Sequence, residues 1–386
     1  MTKITIAFIL ALLITATGSN FIFSVKANAV PYGVTYLPRI VINSDGSLTN
    51  GTNIITRTGN TYTLTTDVNG YAIEIDRSNI IFDGAGHTIN TTAGDDPGIS
   101  LHDVNRVTVK NLEVIGRYTN IYLSDSSNCL ITNVETNMRI YCNYGSNYNT
   151  ITESAPRILH VDGSNNLITK NNVSHELGVS GSNNILYQNN FLLEDLPGLW
   201  YDNSWDNGSI GNYWANYSTK YPNATEIGNT GIGDTPYMIE RDPYLTKDYP
   251  NAKNTDYFPL MYPWGAPEVV LVGEPNATYS GSYFLNFTVS KPALWVGYSL
   301  DGLDNVTVTG NTTLAGLSSG LHNVTVYAED AFENEAASKT ITFTIAVPEP
   351  FPIVPVAVVV AVVAVVFVAA GLLLYRRKRQ REAKQA

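Results

Sequence analysis

Two long apolar stretches mark the ends of the chain. The first, Ile4 to Ala16, follows a lysine and is succeeded at residues 27–29 by Ala-Asn-Ala, the small-x-small pattern that a signal peptidase accepts. Residues 1–29 are therefore predicted to form a cleaved signal peptide. The alternative is an uncleaved N-terminal anchor, because residues 21–23 prolong the apolar stretch.

The second stretch, Ile353 to Leu374, is uncharged and long enough to cross a bilayer of about 30 Å. Five Arg and Lys residues follow between positions 376 and 381, and such a basic flank stays on the cytoplasmic side. Residues 353–375 are predicted to form a single transmembrane helix and residues 376–386 a basic cytoplasmic tail. The protein is then expected in the cell membrane with its N-terminal body outside the cell.

Short strands of Ile, Leu, Val and Thr alternate with turns rich in Asn, Ser and Gly in the first half of the body. The turn positions 79, 106, 128, 147, 165 and 183 are 27, 22, 19, 18 and 18 residues apart. This spacing is too short for strand–helix–strand units and fits the stacked coils of a β-helix. Residues 30–197 are therefore predicted to be a parallel β-helix, with an antiparallel sandwich as the alternative.

Several motifs in and after these coils resemble one known family. Residues 80–89 read Ile-Ile-Phe-Asp-Gly-Ala-Gly-His-Thr-Ile, residues 205–208 and 211–214 read Trp-Asp-Asn-Gly and Gly-Asn-Tyr-Trp, and residues 231–237 read Gly-Ile-Gly-Asp-Thr-Pro-Tyr. Over residues 50–264 the chain resembles the NosD-like right-handed parallel β-helix family, in particular archaeal cell-surface members with an Ig-like module and a C-terminal anchor. The resemblance implies a right-handed solenoid, and copper handling or carbohydrate binding as activities.

Aromatic residues crowd residues 198–264, directly after the last predicted coil. A solenoid end exposes apolar core and needs a cap, so this segment is predicted to cap the β-helix with most of its rings buried. Rings that face outward would instead form a platform for stacking on sugars. The candidates for that role are Trp200, Trp205, Tyr213, Trp214 and Tyr217.

Residues 266–347 change to strands of period two, separated by turns such as Asp301-Gly302. About eighty residues of this pattern predict a small Ig-like β-sandwich, which serves as a spacer above the membrane. The predicted fold class is therefore all-β, with a right-handed parallel β-helix solenoid, a small Ig-like β-sandwich and one C-terminal transmembrane helix.

Charge and cysteine content narrow the classes of partner. Residues 30–352 contain 15 Lys and Arg against 33 Asp and Glu, a net charge of −18, which argues against binding to nucleic acid. Cys129 and Cys142 are too few for a disulfide framework. They also occupy different positions within their coils, so no bond between them is expected.

Three aspartates, Asp76, Asp103 and Asp125, precede the turn positions of successive coils by three residues. Stacking brings equivalent positions to about 4.8 Å, where carboxylates repel unless a cation joins them. Ordinary turn capping accounts for an aspartate at this position, and a calcium site shared by the three carboxylates is the alternative hypothesis. Two carboxylates about 5 Å apart would also suit a retaining glycoside hydrolase.

Copper is disfavoured as a cofactor, because the histidines do not recur at one coil position and no Cys and His have ligand spacing. The histidines concerned are His87, His102, His160 and His175.

Eleven Asn-x-Ser/Thr sequons are present, and an exported chain can be glycosylated at such sites. The glycosylation candidates are Asn90, Asn216, Asn276, Asn286, Asn305, Asn311 and Asn323.

Three classes of function remain open on the sequence. The leading one is a non-catalytic, membrane-anchored surface protein that binds glycan or envelope polymer, or adheres to a neighbouring cell. The alternatives are an extracellular polysaccharide lyase or glycoside hydrolase, and a structural envelope component without a ligand or a NosD-like copper-handling protein.

Overall fold

A computed structural model describes residues 34–193, 202–239, 254–346 and 353–382. The predicted signal peptide, Trp200 and the last residues of the predicted tail lie outside the described residues. The chain divides into two units. The first comprises residues 1–227 and 232–264, and the second comprises residues 228–231 and 265–386.

The first unit is a β-solenoid of about seven turns, which confirms the predicted parallel β-helix. Successive turns pair in parallel along three sheets. The first sheet contains Thr61–Leu64, Ile81–Asp83, Thr150–Thr152, Leu167–Thr169 and Ile185–Tyr187. The second contains Val68–Asn69, Thr88–Asn90, Asn172–Val173, Asn190–Phe191 and Tyr213–Trp214. The third contains Arg39–Ile42, Ala72–Ile75, Ile99–His102, Thr119–Ser124 and Glu176–Val179.

Three longer strands, Thr108–Ile115, Leu130–Cys142 and Ala155–Val161, continue around a corner and so belong to more than one sheet. Near the N-terminal end, Leu48–Thr49 pairs with Arg39–Ile42, and Ile55–Thr58 pairs with Thr61–Leu64, both antiparallel. The parallel stacking of the other strands begins from these two hairpins.

One corner of the solenoid repeats a left-handed backbone conformation in six successive turns. The residues with φ between 57° and 59° at this corner are Asn79, Arg106, Asn128, Tyr148, Asn165 and Asn183. The predicted repeat position 147 is therefore wrong by one residue, because the strand register aligns Tyr148 with Asn128 and Asn165. The turn before residue 148 contains one residue more than the asparagine pattern indicates.

Inside the solenoid the strands place aliphatic side chains in a continuous core, while two columns of buried polar side chains follow the inner corners. In the first column, the backbone N–H groups of Asn149, Asn166 and Asn184 donate to the side-chain oxygen of the asparagine one turn further on, at 2.7, 2.8 and 2.9 Å. The column contains Asn149, Asn166, Asn184 and Asn203 and is called here the first asparagine ladder.

The second asparagine ladder contains Ser154, Asn171, Asn189 and Asn212, all of them buried. Its backbone N–H groups donate in the same way, at 3.0 to 3.1 Å. These corner N–H groups each have a side-chain acceptor, so the turns can be buried without loss of these hydrogen bonds.

The solenoid is closed by the predicted aromatic cap. It contains the short helix Tyr217–Lys220 and the antiparallel pair Tyr237–Met238 and Thr255–Asp256. The indole of Trp214 stacks on Tyr237 with the ring centroids 4.3 Å apart, and Trp205 lies 5.7 Å from Trp214.

Both cysteines are free thiols buried in the solenoid wall. Burial raises the pKa of the Cys129 thiol and raises the pKa of Cys142 to about 12, so neither thiol is readily deprotonated.

The second unit is a small β-unit with its own core, which includes Tyr283, Val326 and Phe343. One sheet contains Thr278–Ser280, Trp295–Leu300, Val306–Thr307, Gly320–Glu329, Glu335–Ala337 and Ile341–Ala346. Two further pairs are formed by Val269–Leu271 with Phe287–Val289, and by Ser282–Leu285 with Thr312–Ala315. The Ig-like character of this unit stays a prediction from the sequence.

The helix Ile353–Glu382 contains a segment, Val358–Glu382, with a mean hydropathy of 3.0 in its most apolar window. Among the described residues it is the one helix long and apolar enough to cross a membrane, and it fits a single-pass anchor. This agrees with the predicted transmembrane segment.

Candidate functional site

The outer surface of the third sheet carries a row of aromatic side chains. Strand alternation directs Ile140 and Cys142 into the core, while Tyr141 between them faces outward. The register aligns Tyr141 with Tyr122 in the turn before it and with His160 in the turn after it. Because the register is continuous, the three rings form one column parallel to the solenoid axis.

Neighbouring rings in this column are in contact. The ring centroids of Tyr122 and Tyr141 are 5.5 Å apart, and those of Tyr141 and His160 are 6.1 Å apart with the planes at 90°. The ring of His102 lies edge-on to Tyr122 at 6.2 Å. Such separations are typical of favourable aromatic pairs, so the row holds its shape without a ligand.

Polar partners fix the edges of these rings. The Tyr141 hydroxyl donates to Asp162 Oδ2 at 2.6 Å, and Asn143 Nδ2 donates to the Tyr122 hydroxyl at 3.0 Å. Burial, followed by the hydrogen bond to Asp162, raises the pKa of the Tyr141 hydroxyl well above its usual range. Tyr141 therefore remains a neutral donor at physiological pH.

Two carboxylates complete the surface, which is called here the tyrosine–histidine face and comprises Tyr122, Tyr141, Asn143, His160, Asp162 and Glu176. His160 Nε2 lies 2.6 Å from Glu176 Oε1. Asp162 Oδ1 also accepts a hydrogen bond from the Ser180 hydroxyl. Each titratable side chain on the face thus has a defined orientation.

Among the described residues, the strand register continues the row beyond His160 with a glycine and not with another ring. The register places Gly178 opposite His160 in the next turn, and a Cβ at Gly178 would lie only 3.0 Å from His160 Cδ2. A larger residue at that position would press on the imidazole, so the space beside the ring is suited to glycine.

The sequence-predicted aspartate column is divided by the strand register. Leu101 pairs with Leu123, which brings Asp103 and Asp125 to equivalent positions in neighbouring turns. Asp76, however, follows Ile75, the partner of Leu101, so it aligns with His102 and not with Asp103. Both Asp103 and Asp125 have φ of 50°, so they occupy a tight corner of the kind that the turn-capping hypothesis describes.

Across residues 34–193, 202–239, 254–346 and 353–382, no group of three or more His, Cys, Asp or Glu side chains is placed to hold a metal ion. Calcium binding by the aspartates therefore rests on the sequence pattern alone. Burial is the main cause that raises the pKa of Asp76.

The predicted sugar-stacking rings of the cap lie mostly in the interior. Trp205, Trp214 and Tyr217 are at most 2% exposed, and Tyr213 is half-buried. Their buried faces pack against one another, which is the arrangement expected of a cap. Trp200 lies outside the described residues.

A buried carboxylate closes the second asparagine ladder. Asp256 Oδ2 accepts from the Asn212 backbone N–H at 2.7 Å and from the Trp214 indole at 2.9 Å, and Oδ1 accepts from the Phe258 N–H at 3.1 Å. Desolvation nevertheless raises the pKa of Asp256 to about 7, against the effect of these three donors. Sequence reasoning did not single out this residue, because no local motif marks it.

The sequence matches no family model, and no curated protein matches it either. The solenoid is consistent with a parallel β-helix family, and the NosD-like resemblance stays an expectation from the motifs.

Sequence reasoning also missed the tyrosine–histidine face, although a signal for it exists. Tyr122, Tyr141 and His160 are each 19 residues apart, which is close to the coil period. A search for aromatic residues at the coil period, in addition to asparagines, would have found the row.

Proposed function

We propose that this is a membrane-anchored cell-surface protein whose β-helix binds polysaccharide along the tyrosine–histidine face. The observation that carries the proposal is the ordered row Tyr122–Tyr141–His160, in which ring faces alternate with hydroxyl, amide and carboxylate groups. A flat apolar surface edged by polar groups is what a sugar ring requires. A row with one constant spacing suits a polymer with a repeating unit.

The charge of the face favours an uncharged polymer. Asp162 and Glu176 both lie on it, and the body between the two apolar segments has a net charge of −18. A uronic acid polymer or a sulfated glycan would be repelled by this field. The expected ligand is therefore a neutral polysaccharide of the envelope or of a neighbouring cell.

The binding test uses the full-length chain in detergent micelles and a panel of neutral and acidic polysaccharides. The double variant Tyr122→Ala/Tyr141→Ala should lose about tenfold in affinity, since each aromatic contact contributes about 0.5–1.5 kcal/mol. The matched control is Tyr144→Ala/Tyr148→Ala, which removes two tyrosines that are 68% and 61% exposed but lie off the row. Absence of binding to every polysaccharide, or an equal loss in both double variants, would refute the proposed face.

The outward orientation of the body is part of the same proposal. It is supported by the signal-like N-terminus and by the basic flank after the apolar helix. Protease added to intact cells should remove the body and leave an epitope at residues 376–386 protected. A protected body would contradict the orientation.

Cleavage of the bound polysaccharide is a second candidate function, favoured by the contact of 2.6 Å between His160 and Glu176. A histidine oriented by a carboxylate is a common general base, and Asp162 lies on the same face. The experiment is product analysis after incubation with any polysaccharide that binds. New reducing ends that disappear in His160→Gln, with binding retained, would favour the enzyme. Intact polymer would favour the non-catalytic binder.

A further inference from the structure

The second unit has an open cleft on the outer surface of its main sheet. Trp295–Leu300 pairs with Gly320–Glu329 on one side and with Val306–Thr307 on the other, which places Gly297 between Thr307 and Tyr327. A Cβ at Gly297 would lie 2.3 Å from Trp295 Cζ2. The indole of Trp295 therefore lies across the space that a side chain at Gly297 would fill.

This orientation makes Trp295 one wall of the cleft, and Tyr327, Glu335 and Asn305 line it together with three alanines. The cleft has a volume of about 250 Å³. Pockets for drug-sized ligands are usually about 300–1,000 Å³, so this one is suited to a single ring and not to a chain of rings. Two aromatic walls with a carboxylate at the edge match the faces and hydroxyls of one sugar.

Asn305 at the rim of the cleft is the acceptor position of an Asn-Val-Thr sequon. Its side chain is exposed and makes no hydrogen bond within the described residues. The sequon threonine, Thr307, accepts a hydrogen bond from Trp295 Nε1 at 2.9 Å. The indole is thus fixed beside the sequon, and a sugar attached to Asn305 Nδ2 begins at the mouth of the cleft.

Other sequons of this unit lack this arrangement. Asn311 Nδ2 donates to Asn286 Oδ1 at 2.8 Å, and Asn311 Oδ1 accepts from the backbone N–H of Phe287. Asn311 therefore already uses its side-chain amide. Asn276 and Asn323 are exposed, and neither lines the cleft.

We propose that Asn305 is an N-glycosylation site whose first sugar packs in the cleft between Trp295 and Tyr327. The attached sugar covers the indole face, so the ligand of the cleft is a sugar carried by the same chain. This inference rests on the outward orientation stated under the proposed function, because the modification takes place outside the cytoplasm. It does not depend on the tyrosine–histidine face.

The first test is glycopeptide mass spectrometry of the full-length chain purified from the cells that make it. We expect a glycan on the peptide that contains Asn305. A bare Asn305 beside a glycosylated Asn276 or Asn323 would overturn the inference and leave the outward orientation intact. If all sequons are bare and the body is also protected from external protease, both the inference and the orientation fail.

The second test asks whether the sugar contacts the indole. Asn305→Gln should lower the melting temperature of the second unit by about 4–8 °C in the otherwise unchanged glycoprotein, since one sugar–aromatic contact contributes about 1 kcal/mol and the unit is small. The same substitution should have little effect in a Trp295→Ala background, because the partner ring is absent. Asn323→Gln, a sequon away from the cleft, is the matched control. Equal shifts in both backgrounds, or an equal shift in the control, would show that the sugar does not occupy the cleft.

Discussion

The inner corners and the outer face of the solenoid use the same turn period for different purposes. At the inner corners, the buried asparagines repeat one residue type and one hydrogen bond at 2.7 to 3.1 Å over several turns. On the outer face of the third sheet, the same period carries a tyrosine, a second tyrosine, a histidine and then a glycine. The inside is uniform and the outside is varied.

The difference has a physical cause. A buried backbone N–H without an acceptor costs about 1–3 kcal/mol, so each turn needs a side-chain acceptor, asparagine or serine, at the same corner. The outer positions face solvent, where stability depends little on the residue type. Outer positions can therefore differ from turn to turn and carry a binding surface.

Breaking the inner pattern should have the largest effect. Asn189→Leu removes the acceptor of the Asn171 N–H and the donor to Ile168 O, both of which are buried. We expect the free energy of unfolding to fall by about 3–5 kcal/mol, since two buried groups lose their partners. Thermal and denaturant unfolding of the full-length chain in detergent would measure the change.

The matched control is Asn183→Gly in the same turn. Asn183 is exposed and has φ of 59°, which glycine adopts without strain, so its loss should cost no more than about 1 kcal/mol. If the two variants are equally stable, the buried ladder does not stabilise the solenoid as described.

The carboxylate that closes the second ladder should make stability depend on pH. The pKa of Asp256 is about 7 in the folded protein, above the unfolded value of about 3.9, so the folded state binds the proton more tightly. The free energy of unfolding should therefore fall as the pH rises from about 4 to about 7, by at most about 4 kcal/mol. Melting temperatures at pH 5 and pH 8 would show the loss.

In Asp256→Asn the decline between pH 5 and pH 8 should be much smaller. Asp234→Asn is the control in the same cap, because hydrogen bonds from Thr225 lower the pKa of exposed Asp234 and its titration lies at more acid pH. A decline of unchanged size in Asp256→Asn would assign the pH dependence to another group.

The period of the solenoid could be predicted from the sequence because asparagine tolerates left-handed backbone and occupies four of the six positions at one corner. The register could not be predicted to the residue. Tyr148 and Arg106 occupy the same left-handed corner as Asn128, and Lys170 and Gln188 occupy another, yet none of the four residue types signals it. The alignment of turns in the sequence also predicts position 106, whereas only the backbone pairing across turns identifies positions 148, 170 and 188.

The same uncertainty in register explains which candidate sites were predicted incorrectly from the sequence. Counting three residues back from each turn placed Asp76 with Asp103, whereas one additional residue in the turn after His102 shifts the alignment. The buried cap could be predicted from the sequence, because a solenoid end must be closed. The tyrosine–histidine face was not predicted, because its members differ in residue type and only their spacing of 19 connects them.

Two neighbouring residues can sharpen the contrast between outside and inside. Glu176 faces outward against His160, whereas Leu177 is fully buried in the core. Glu176→Gln should change the free energy of unfolding by less than about 1 kcal/mol, since this ion pair is partly exposed to solvent. Leu177→Ala should cost about 2–5 kcal/mol.

Affinity for polysaccharide should show the reverse order. Glu176→Gln loosens His160 and is expected to weaken binding about fivefold, or about 1 kcal/mol. Leu177→Ala, measured below its melting temperature, should bind nearly as well as the parent chain. Binding that follows stability in both variants would mean that the outer face has no separate role.

The smallest effect is expected from calcium, because the register leaves only Asp103 and Asp125 at equivalent positions. A cation held by two exposed carboxylates belongs to the weak, millimolar class of calcium sites. At five times the dissociation constant, binding to the folded state alone adds about 1 kcal/mol to the free energy of unfolding.

Asp125→Asn should abolish this gain, because it removes one of the two carboxylates that would hold the cation. The Asp125 carboxylate lies at the corner, over Gly145. Asp76→Asn should leave it unchanged, because the register aligns Asp76 with His102. A calcium titration followed by the melting temperature would separate the two variants. An equal loss in both would restore the three-residue column that the sequence alone suggests, and no shift in the parent chain would leave the aspartates with turn capping as their role.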